Sequence, residues 1–302
     1  MDGEGLIKRL PQVRGPYRPN YALSKINWFQ VGGPAEVLFR PEDAEDLAHF
    51  MKHKPADVPV TVLGVGSNII VRDGGINGVV IRLGRGFTFM NRVNDEVHAG
   101  GAALDVNVAL FAAQEGLAGL EFLSGIPGTV GGALAMNAGA YGKEVKDVLI
   151  RAEALDAAGN LFVIQADKMK FRYRGNDLPK DWIYTRAVFK GEKGKPEAIA
   201  ARIKEINDAR EATQPIRERT TGSTFANPPG KKAWQLIDEA GCRGLQIGGA
   251  QMSEKHCNFM INTGGATAAD LEKLGEEVRR KVKEKSGIQL EWEVKRIGLN
   301  IE

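Results

Sequence analysis

The chain has 302 residues, 43% apolar and 26% charged, with a formal net charge of +3 and a pI of about 8.7. This length fits about two domains of ~150 residues, and the charge is too small to indicate a nucleic-acid partner. No stretch approaches the ~20 apolar residues of a membrane span, and the N-terminus lacks the apolar segment of a secretory signal. The two cysteines, Cys242 and Cys257, form no CxxC pattern, which argues against a disulfide framework or a zinc cluster. We therefore expect a cytoplasmic protein with reduced thiols.

The N-terminal third reads as an arm, several short strands and one amphipathic helix. Residues 1–21 predict a loosely ordered N-terminal arm. Residues 42–53 predict a helix, in which His49 and His53 lie four positions apart; no third ligand is near, so a solvated surface is favoured over a metal pair. Apolar runs predict strands at 35–39, 58–63, 69–71 and 79–83.

The segment up to about residue 190 is rich in strands and contains one amphipathic helix, at residues 104–114. Residues 116–142, GLAGLEFLSGIPGTVGGALAMNAGAYG, are rich in glycine and alanine and carry no charge from Phe122 to Tyr141. Glycine lets the backbone approach a ligand with its N–H groups exposed. This favours a wall that faces a ligand over an ordinary core connection.

Helices dominate the last third of the chain. Thr267 and Asp270 have the spacing of a capping box at the start of a long helix that Gly287 ends. Residues 288–295 alternate between apolar and polar, which predicts a strand whose polar face carries Glu291, Glu293 and Lys295. Two further helices are predicted at 197–212 and 232–240, and short strands at 245–247 and 259–261.

A turn follows the strand at residues 58–63, within the sequence VLGVGSNIIV (62–71). Consecutive N–H groups in a tight turn form a nest for an anion such as a pyrophosphate. The GxG pair resembles a Rossmann fingerprint, but the third glycine is missing and a strand-like run follows where that fold has a helix. A plain β-hairpin turn remains the alternative.

Four hydroxyl groups crowd around Gly222 in TTGSTFANPP, residues 220–229. The stretch is either a polar turn or a place where one hydroxyl moves a proton. A serine hydrolase would need His98 or His256 as its base, and no G-x-S-x-G elbow is present to hold the nucleophile. The hydrolase interpretation is therefore weak.

Six motifs stand in order along the chain: VLGVGSNIIV, SGIPGTVGGALAMNAGAYG, FRYR, GSTFANP, IGGAQMSEKHCNFMIN and LEWEVKRIG. Together they resemble the UDP-N-acetylenolpyruvoylglucosamine reductase family over about residues 22–299. The resemblance implies an α+β protein: a two-lobed FAD-binding fold of the vanillyl-alcohol oxidase (PCMH) type plus a C-terminal α+β substrate-binding domain. The domains would be the arm at 1–21, the FAD-binding domain at 22–212, the substrate-binding domain at 213–287 and a C-terminal strand at 288–302 returning to the active site.

The resemblance also implies non-covalent FAD and NADPH as redox cofactors, and no metal. The turn would hold the FAD pyrophosphate through Gly64, Val65, Gly66, Ser67 and Asn68. The glycine-rich wall would lie against the ring and ribityl chain of the flavin through Gly125, Ile126, Pro127, Gly128, Gly131, Gly132, Asn137 and Ala138.

The implied reaction reduces an enolpyruvyl ether to a lactyl ether in peptidoglycan precursor synthesis. Charge develops on the substrate carboxylate and C2 must receive a proton, so the site needs a cation and a proton donor. By resemblance, Arg174 and Glu293 stabilise the carboxylate and Ser223 donates the proton. Taken alone, Arg172 and Glu291 compete for the first two roles.

Substrate contacts implied by the motifs are Tyr173 and Asn227, with Arg217, Lys255 and His256 as candidate phosphate or sugar contacts. The short spacing from Arg174 to Ser223 is that of family members lacking an inserted tyrosine loop, so what covers the site is open. The partners are then the UDP-enolpyruvyl sugar and NADPH, without nucleic acid or membrane; the oligomeric state is open, with a monomer as the working expectation. An oxidase of the same fold and a non-catalytic flavin-binding or UDP-sugar-binding module are the rival interpretations.

Overall fold

Helices and strands are mixed along residues 1–301, the part of the chain that the computed structural model describes. The helices are α1 (Gly3–Ile7), α2 (Ala44–His53), α3 (Asp105–Gln114), α4 (Val130–Met136), α5 (Pro196–Thr213), α6 (Ala233–Glu239) and α7 (Ala268–Ser286). The strands are β1 (Tyr17–Ala22), β2 (Pro34–Phe39), β3 (Val60–Val62), β4 (Ile69–Val71), β5 (Ile76–Ile81), β6 (Met90–Val93), β7 (Glu96–Gly100), β8 (Leu117–Ala118), β9 (Gly139–Ala140), β10 (Lys143–Glu144), β11 (Leu149–Leu155), β12 (Leu161–Gln165), β13 (Ile183–Lys190), β14 (Glu192–Lys193), β15 (Gln246–Ile247), β16 (Ala250–Met252), β17 (Met260–Asn262) and β18 (Lys295–Ile297). Between residues 1 and 301, no helix combines the length and the apolar character that crossing a membrane requires.

The first lobe is a four-stranded sheet in the order β1-β2-β5-β3. Strands β2, β5 and β3 run parallel, and β1 pairs antiparallel with β2. Helix α2 covers one face and buries Leu47 and Phe50 against Phe39. Because parallel strands end at a common edge of the sheet, the turn that follows β3 is presented at that edge.

The N-terminal segment is ordered against this lobe, so the prediction of a loosely ordered arm is wrong. The carboxylate of Asp46, only 3% exposed, accepts hydrogen bonds from the backbone N–H groups of Arg14 and Gly15 at 2.8 and 2.9 Å. Strand β1 extends the sheet. The prolines of this segment suggested disorder. The residues that hold it, Asp46 of α2 and strand β2, are distant in the sequence and come near only in the folded chain.

The second lobe is an antiparallel sheet in the order β12-β11-β13-β7-β6. Alternate residues of its central strands, including Val97 on β7 and Phe189 on β13, face a core formed with α3, α4 and α5. A 3₁₀ turn at Glu121–Gly125 packs on α3 and α5 and leads into the glycine-rich wall.

The third unit packs the small sheet β15-β16-β17 against α6 and α7. The predicted capping box of α7 is confirmed: Asp270 N–H donates to Thr267 Oγ1, and Thr267 N–H donates to Asp270 Oδ2, each at 3.0 Å. Gly287 ends the helix in the left-handed conformation, with φ of 73°. The inner stripe of α7 is fully buried.

The C-terminal segment forms less strand than its alternating pattern predicts. Only Lys295–Ile297 is a strand, and it pairs in parallel with β4 of the first lobe. Leu290 and Val294 are buried as predicted. Residues 288–294 make single contacts with a loop, such as the bridge between Trp292 and Phe225, because no full strand lies beside them. An alternating pattern specifies which side chains are buried, whereas a strand also requires a pairing partner.

Candidate active site

A cleft of about 630 Å³ lies where the three units meet. Its walls are the turn after β3, the glycine-rich wall with α4, the end of α5, residues 220–223 and the C-terminal segment. This volume is in the range of ligand-binding clefts. Most of the residues predicted from the motifs therefore converge on one cavity.

The turn at residues 64–68 connects β3 to β4. The observed strand β4 confirms that no helix follows the turn, which removes the Rossmann alternative. Gly66 has φ of 69°, a conformation that glycine adopts without strain, and its carbonyl accepts a hydrogen bond from Trp28 N–H. Within residues 1–301, none of the five amide groups of the turn donates to another backbone group.

The donor set of this turn fits the diphosphate of a flavin. Five consecutive residues, Gly64 to Asn68, line the cleft with free amide groups, and such a run of N–H groups binds an anion. The turn approaches the wall so closely that a Cβ at Gly64 would lie 2.7 Å from Thr129 Oγ1. The chemistry and the space of the cleft are therefore suited to this cofactor.

The glycine-rich wall lines the opposite side of the cleft through Gly125, Ile126, Pro127, Gly128, Gly132 and Ala138. Two of the predicted contacts do not line the cleft. Gly131 N–H donates to Gly101 O on the core side, and Asn137 is fully buried, with its amide bonded to Glu144 and to the carbonyl of Arg172. In this structure both residues support the wall from behind, and their direct contact with the flavin stays a prediction.

The four hydroxyls of residues 220–224 have different environments. Thr220 Oγ1 donates to Met260 O at 2.6 Å, and Thr224 Oγ1 accepts from Met260 N–H at 3.3 Å; both are buried. Thr221 Oγ1 is buried and has no hydrogen-bond partner among residues 1–301. Ser223 is partly exposed and lines the cleft. Gly222 before it has φ of 89°, which turns the chain toward the cavity.

Arg174 and Glu293 form an ion pair in the cleft. Arg174 Nε donates to Glu293 Oε1 at 2.8 Å, and Tyr173 Oη donates to Glu293 Oε2 at 3.3 Å. Burial acts to lower the pKa of Arg174, but the charge and hydrogen bond of Glu293 outweigh it and the pKa is raised. The pKa of Tyr173 is also raised, mainly by burial and to a smaller extent by the negative charge of Glu293. Arg174 is thus held as a cation.

The two competing residues lie outside this pair. Arg172 forms an ion pair with Asp177, and its side chain is 58% exposed. Glu291 is exposed and does not line the cleft, whereas the side chain of Glu293 is only 12% exposed. The geometry therefore favours Arg174 and Glu293 for the carboxylate site, the same two residues that the family motifs indicate.

Backbone contacts of the C-terminal segment bring Glu293 to Ser223 and to the turn. Glu293 N–H donates to Thr224 O at 2.9 Å. Asn68 Nδ2 donates to Glu293 O at 3.2 Å, and Lys295 N–H donates to Asn68 O at 3.1 Å. Three distant parts of the chain are therefore joined through one extended segment.

The predicted substrate contacts are dispersed. Asn227 Oδ1 accepts from Ala233 N–H at the start of α6, and the residue does not line the cleft. Arg217 and Lys255 line a second cavity of about 440 Å³ that shares Gln214 and Ile216 with the cleft. Tyr173 and His256 lie outside the lining of both cavities; Tyr173 is next to Arg174, and burial lowers the pKa of His256.

Two cleft cations were missed by the sequence analysis. Arg210 on α5 lines the cleft. Its guanidinium donates to Gln214 Oε1 at 3.5 Å and to Ser124 O at 3.4 Å, and not to a carboxylate of the described chain. Burial lowers the pKa of Arg210. Lys295 also lines the cleft, and desolvation, with Lys180 as a smaller cause, lowers its pKa. The alternation that places Lys295 on the side of Glu293 was a usable signal. No pattern in the charged helix α5 singles out Arg210.

The histidines give no support to a hydrolase or a metal site. Neither His98 nor His256 lines the cleft; His98 is buried between Glu96 and Arg186 on β7 and β13. His49 and His53 have ring centroids 4.3 Å apart on α2. Among the residues described, no group of three or more His, Cys, Asp or Glu is arranged to hold a metal.

Comparisons with known proteins agree with the two-part arrangement. The model of the FAD binding domain family matches residues 35–165, and the model of the UDP-N-acetylenolpyruvoylglucosamine reductase C-terminal domain matches residues 214–297. The two-lobed FAD-binding fold with a C-terminal α+β domain is therefore confirmed.

Curated relatives match over nearly the whole chain. The UDP-N-acetylenolpyruvoylglucosamine reductase of Parvibaculum lavamentivorans is 59% identical, covering 98% of this chain and 96% of that protein. The enzyme of the same name from Rhodospirillum rubrum is 56% identical, covering 98% and 95%. The crystal structure of UDP-N-acetylenolpyruvylglucosamine reductase from Thermus caldophilus aligns with a TM-score of 0.81 at 36% identity, over 95% of this chain and all of that one.

Proposed function

The chain belongs to the UDP-N-acetylenolpyruvoylglucosamine reductase family, and from this premise we propose that its cleft reduces the enolpyruvyl ether of UDP-N-acetylglucosamine to the lactyl ether, UDP-N-acetylmuramate. The observation that carries the proposal is the meeting of Arg174, Glu293 and the partly exposed Ser223 in the cleft that the turn at 64–68 also lines. When bound, FAD would be reduced by NADPH, and the reduced flavin would supply the hydride to the enolpyruvyl group.

Arg174 receives the carboxylate of the enolpyruvyl group. Its Nε is used by Glu293, which leaves the other N–H groups of the guanidinium for the substrate. Glu293 fixes the direction of the guanidinium, so the charge that develops on the carboxylate meets a cation already in place. Preorganised groups of this kind each contribute ~10²–10³-fold to rate.

Ser223 donates the proton to C2. A serine hydroxyl is a weak acid in water, but the carbon of an enediolate is a strong base, so the transfer needs position more than acidity. The neighbouring threonines Thr220 and Thr224 are buried and hydrogen-bonded to Met260. Thr221 also borders the cleft but is only 4% exposed, which leaves Ser223 as the hydroxyl of this stretch that is partly exposed there.

The cations of the cleft and of the second cavity are candidates for binding the phosphate groups of the flavin and of the sugar nucleotide. We propose that Lys295, beside the turn, supports the flavin diphosphate, and that Arg210 binds the nucleotide part of the substrate. Arg217 is paired with the Glu211 carboxylate and Lys255 Nζ donates to Glu211 O, so these two cations of the neighbouring cavity would exchange those contacts for the nucleotide. NADPH and the sugar nucleotide would use the cleft in turn. All three catalytic side chains come from one chain, so a monomer is sufficient; free cysteines and the use of NADPH favour the cytoplasm.

The proposed domain division keeps residues 22–212 for FAD, 213–287 for the substrate and 288–302 for the segment returning to the site. The end of α5 at Thr213 and the start of the C-terminal family match at residue 214 support the first boundary. The hydrogen bonds of Glu293 to Thr224 and Asn68 support the return of the last segment.

An anaerobic half-reaction experiment tests this proposal. NADPH should bleach the flavin of the purified protein, and the UDP-enolpyruvyl sugar should restore its colour. In Ser223→Ala we expect unchanged bleaching but reoxidation slowed by at least ~10²-fold, because only the proton donor is removed. The bleaching step in the same variant is the control.

Three results would contradict the proposal in distinct ways. Reoxidation by the sugar at the wild-type rate in Ser223→Ala would remove Ser223 as donor. Turnover with oxygen and no response to the sugar would favour an oxidase. Flavin that NADPH does not bleach would favour a binding module.

A further inference from the structure

Asp105 is a buried carboxyl group that the proposed reaction does not use. It is the first residue of α3, fully buried, and neither carboxyl oxygen has a hydrogen-bond partner within the described chain. Such a group in a native structure calls for an explanation, because burying a polar group without a partner is costly.

The carboxyl lies directly behind the flavin site. Asp105 N–H donates to Gly128 O at 3.1 Å. A Cβ placed on Gly128 would lie 3.0 Å from Asp105 Oδ2 and 3.9 Å from Ser67 Oγ. Gly128 and Ser67 both line the cleft, so the backbone at Gly128 lies between the Asp105 carboxyl group and the turn at residues 64–68. This turn is called the diphosphate turn below.

Two effects compete for the charge state of Asp105. A position in the first turn of a helix favours the ionised carboxylate, by an amount that is usually small. Burial without a partner favours the neutral acid far more strongly. Burial therefore dominates, and it raises the pKa of Asp105 well above its usual value.

Ionisable groups on the elements around α3 are engaged elsewhere. Glu121 of the 3₁₀ turn accepts from Gly119 N–H, and on β7 Glu96 bonds to His98. Strand β8, helix α4 and the diphosphate turn carry no charged side chain. On α5, Arg210 bonds to Ser124 O, and exposed ion pairs join Arg202 to Glu205 and Lys204 to Asp208.

We propose that Asp105 is a neutral carboxylic acid behind the flavin diphosphate site, and that its ionisation weakens FAD binding through the negative charge it would place there. An ionised Asp105 would place a negative charge behind the amides that receive an anion, and would offset the partial positive charge of the α3 N-terminus. The inference rests on the proposed cofactor site.

The sign of the pH dependence follows from this arrangement. The bound diphosphate favours the protonated form of Asp105. FAD therefore binds most tightly while Asp105 is neutral, and its affinity falls as the pH rises through the pKa of Asp105 in the flavin-free protein. Above that point, the dissociation constant should rise by up to about tenfold for each pH unit.

The test compares the release of FAD from the holoprotein with that from Asp105→Asn, an uncharged substitution of the same shape. Free flavin is measured by its fluorescence after dilution, between about pH 6 and 9.5. We expect the two proteins to have equal dissociation constants for FAD near pH 6. The ratio of the wild-type constant to that of the variant should then rise with pH. The exposed Asp181→Asn is the matched control and should follow the wild type.

Infrared difference spectra of wild type minus Asp105→Asn provide a second readout that needs no change in affinity. We expect the carbonyl stretch of a protonated carboxyl group at neutral pH. The absence of that band would overturn the inference. So would an affinity ratio that stays constant over a pH range extended until the band is lost. Failure of all three proteins to hold FAD would instead contradict the cofactor site itself.

Discussion

At the scale of single residues, the site depends on which side chains are free and which are bound. Arg172 and Arg174 are two positions apart in FRYR, yet the first forms an exposed ion pair with Asp177 and the second meets Glu293. Arg174 also has φ of 54°, a left-handed conformation rare for a residue with a side chain. Such strain is found where the surrounding structure fixes a functional group.

The pair formed by Arg174 and Glu293 can be tested with a matched control. We expect Glu293→Gln to slow reoxidation of the flavin by the sugar by ~10²-fold or more, because an amide holds the guanidinium less firmly than a carboxylate does. The exposed Glu291→Gln should remain within about twofold of the wild type. Stopped-flow absorbance of the flavin measures both, and equal rates in the two variants would contradict the role of Glu293.

At the scale of elements, local sequence rules were sufficient for α7 and insufficient for the segment after it. The capping box at Thr267 and the stop at Gly287 are formed by residues a few positions apart, so their spacing predicts them. The segment at 288–294 has the pattern of a strand but lacks a neighbour to pair with, and the strand forms only at Lys295–Ile297.

The capping box gives a prediction at this scale. Replacing Thr267 by alanine should lower the free energy of unfolding by about 1 kcal/mol, since Asp270 N–H loses its acceptor. The bleaching and reoxidation rates should not change, because Thr267 does not line the cleft. Chemical denaturation measures the difference, with Lys285→Ala, an exposed residue at the other end of the same helix, as control. Equal stability of Thr267→Ala and wild type would remove the contribution of the cap.

At the scale of the whole molecule, the C-terminal segment connects the third unit to the flavin-binding lobes. Trp292 contacts Phe225 through an isolated bridge and packs on Gly275 of α7, where a Cβ would lie 2.0 Å from the tryptophan ring. The next residue is Glu293. Packing of α7 in the third unit therefore sets the position of a charged group in the cleft.

Gly275→Ala tests this connection. Alanine gains about 1 kcal/mol over glycine in a helix, but overpacking costs about 1–3 kcal/mol and forces Trp292 to move. We expect a net loss of stability and, because Glu293 shifts with Trp292, slower reoxidation with unchanged bleaching. The exposed Lys273→Ala on the same helix is the control. A destabilised variant with normal reoxidation would show that the packing does not reach the site.

The sequence by itself determined the class of fold, most helices, the turn at residues 64–68 and, through the order of six motifs, the family. These features depend on interactions between residues close in the chain, or on motif order. The motifs also selected Arg174 and Glu293, but only the tertiary structure showed that the two form an ion pair across 119 positions. It alone decided that Arg210 and Lys295 line the cleft and that Asn137 supports the wall from behind. It also decided that the N-terminal segment is held by the buried Asp46 and that Asp105 lies unpaired behind Gly128. The physical reason is that burial and pairing of a charge depend on every element packed around it, and a local pattern does not contain those elements.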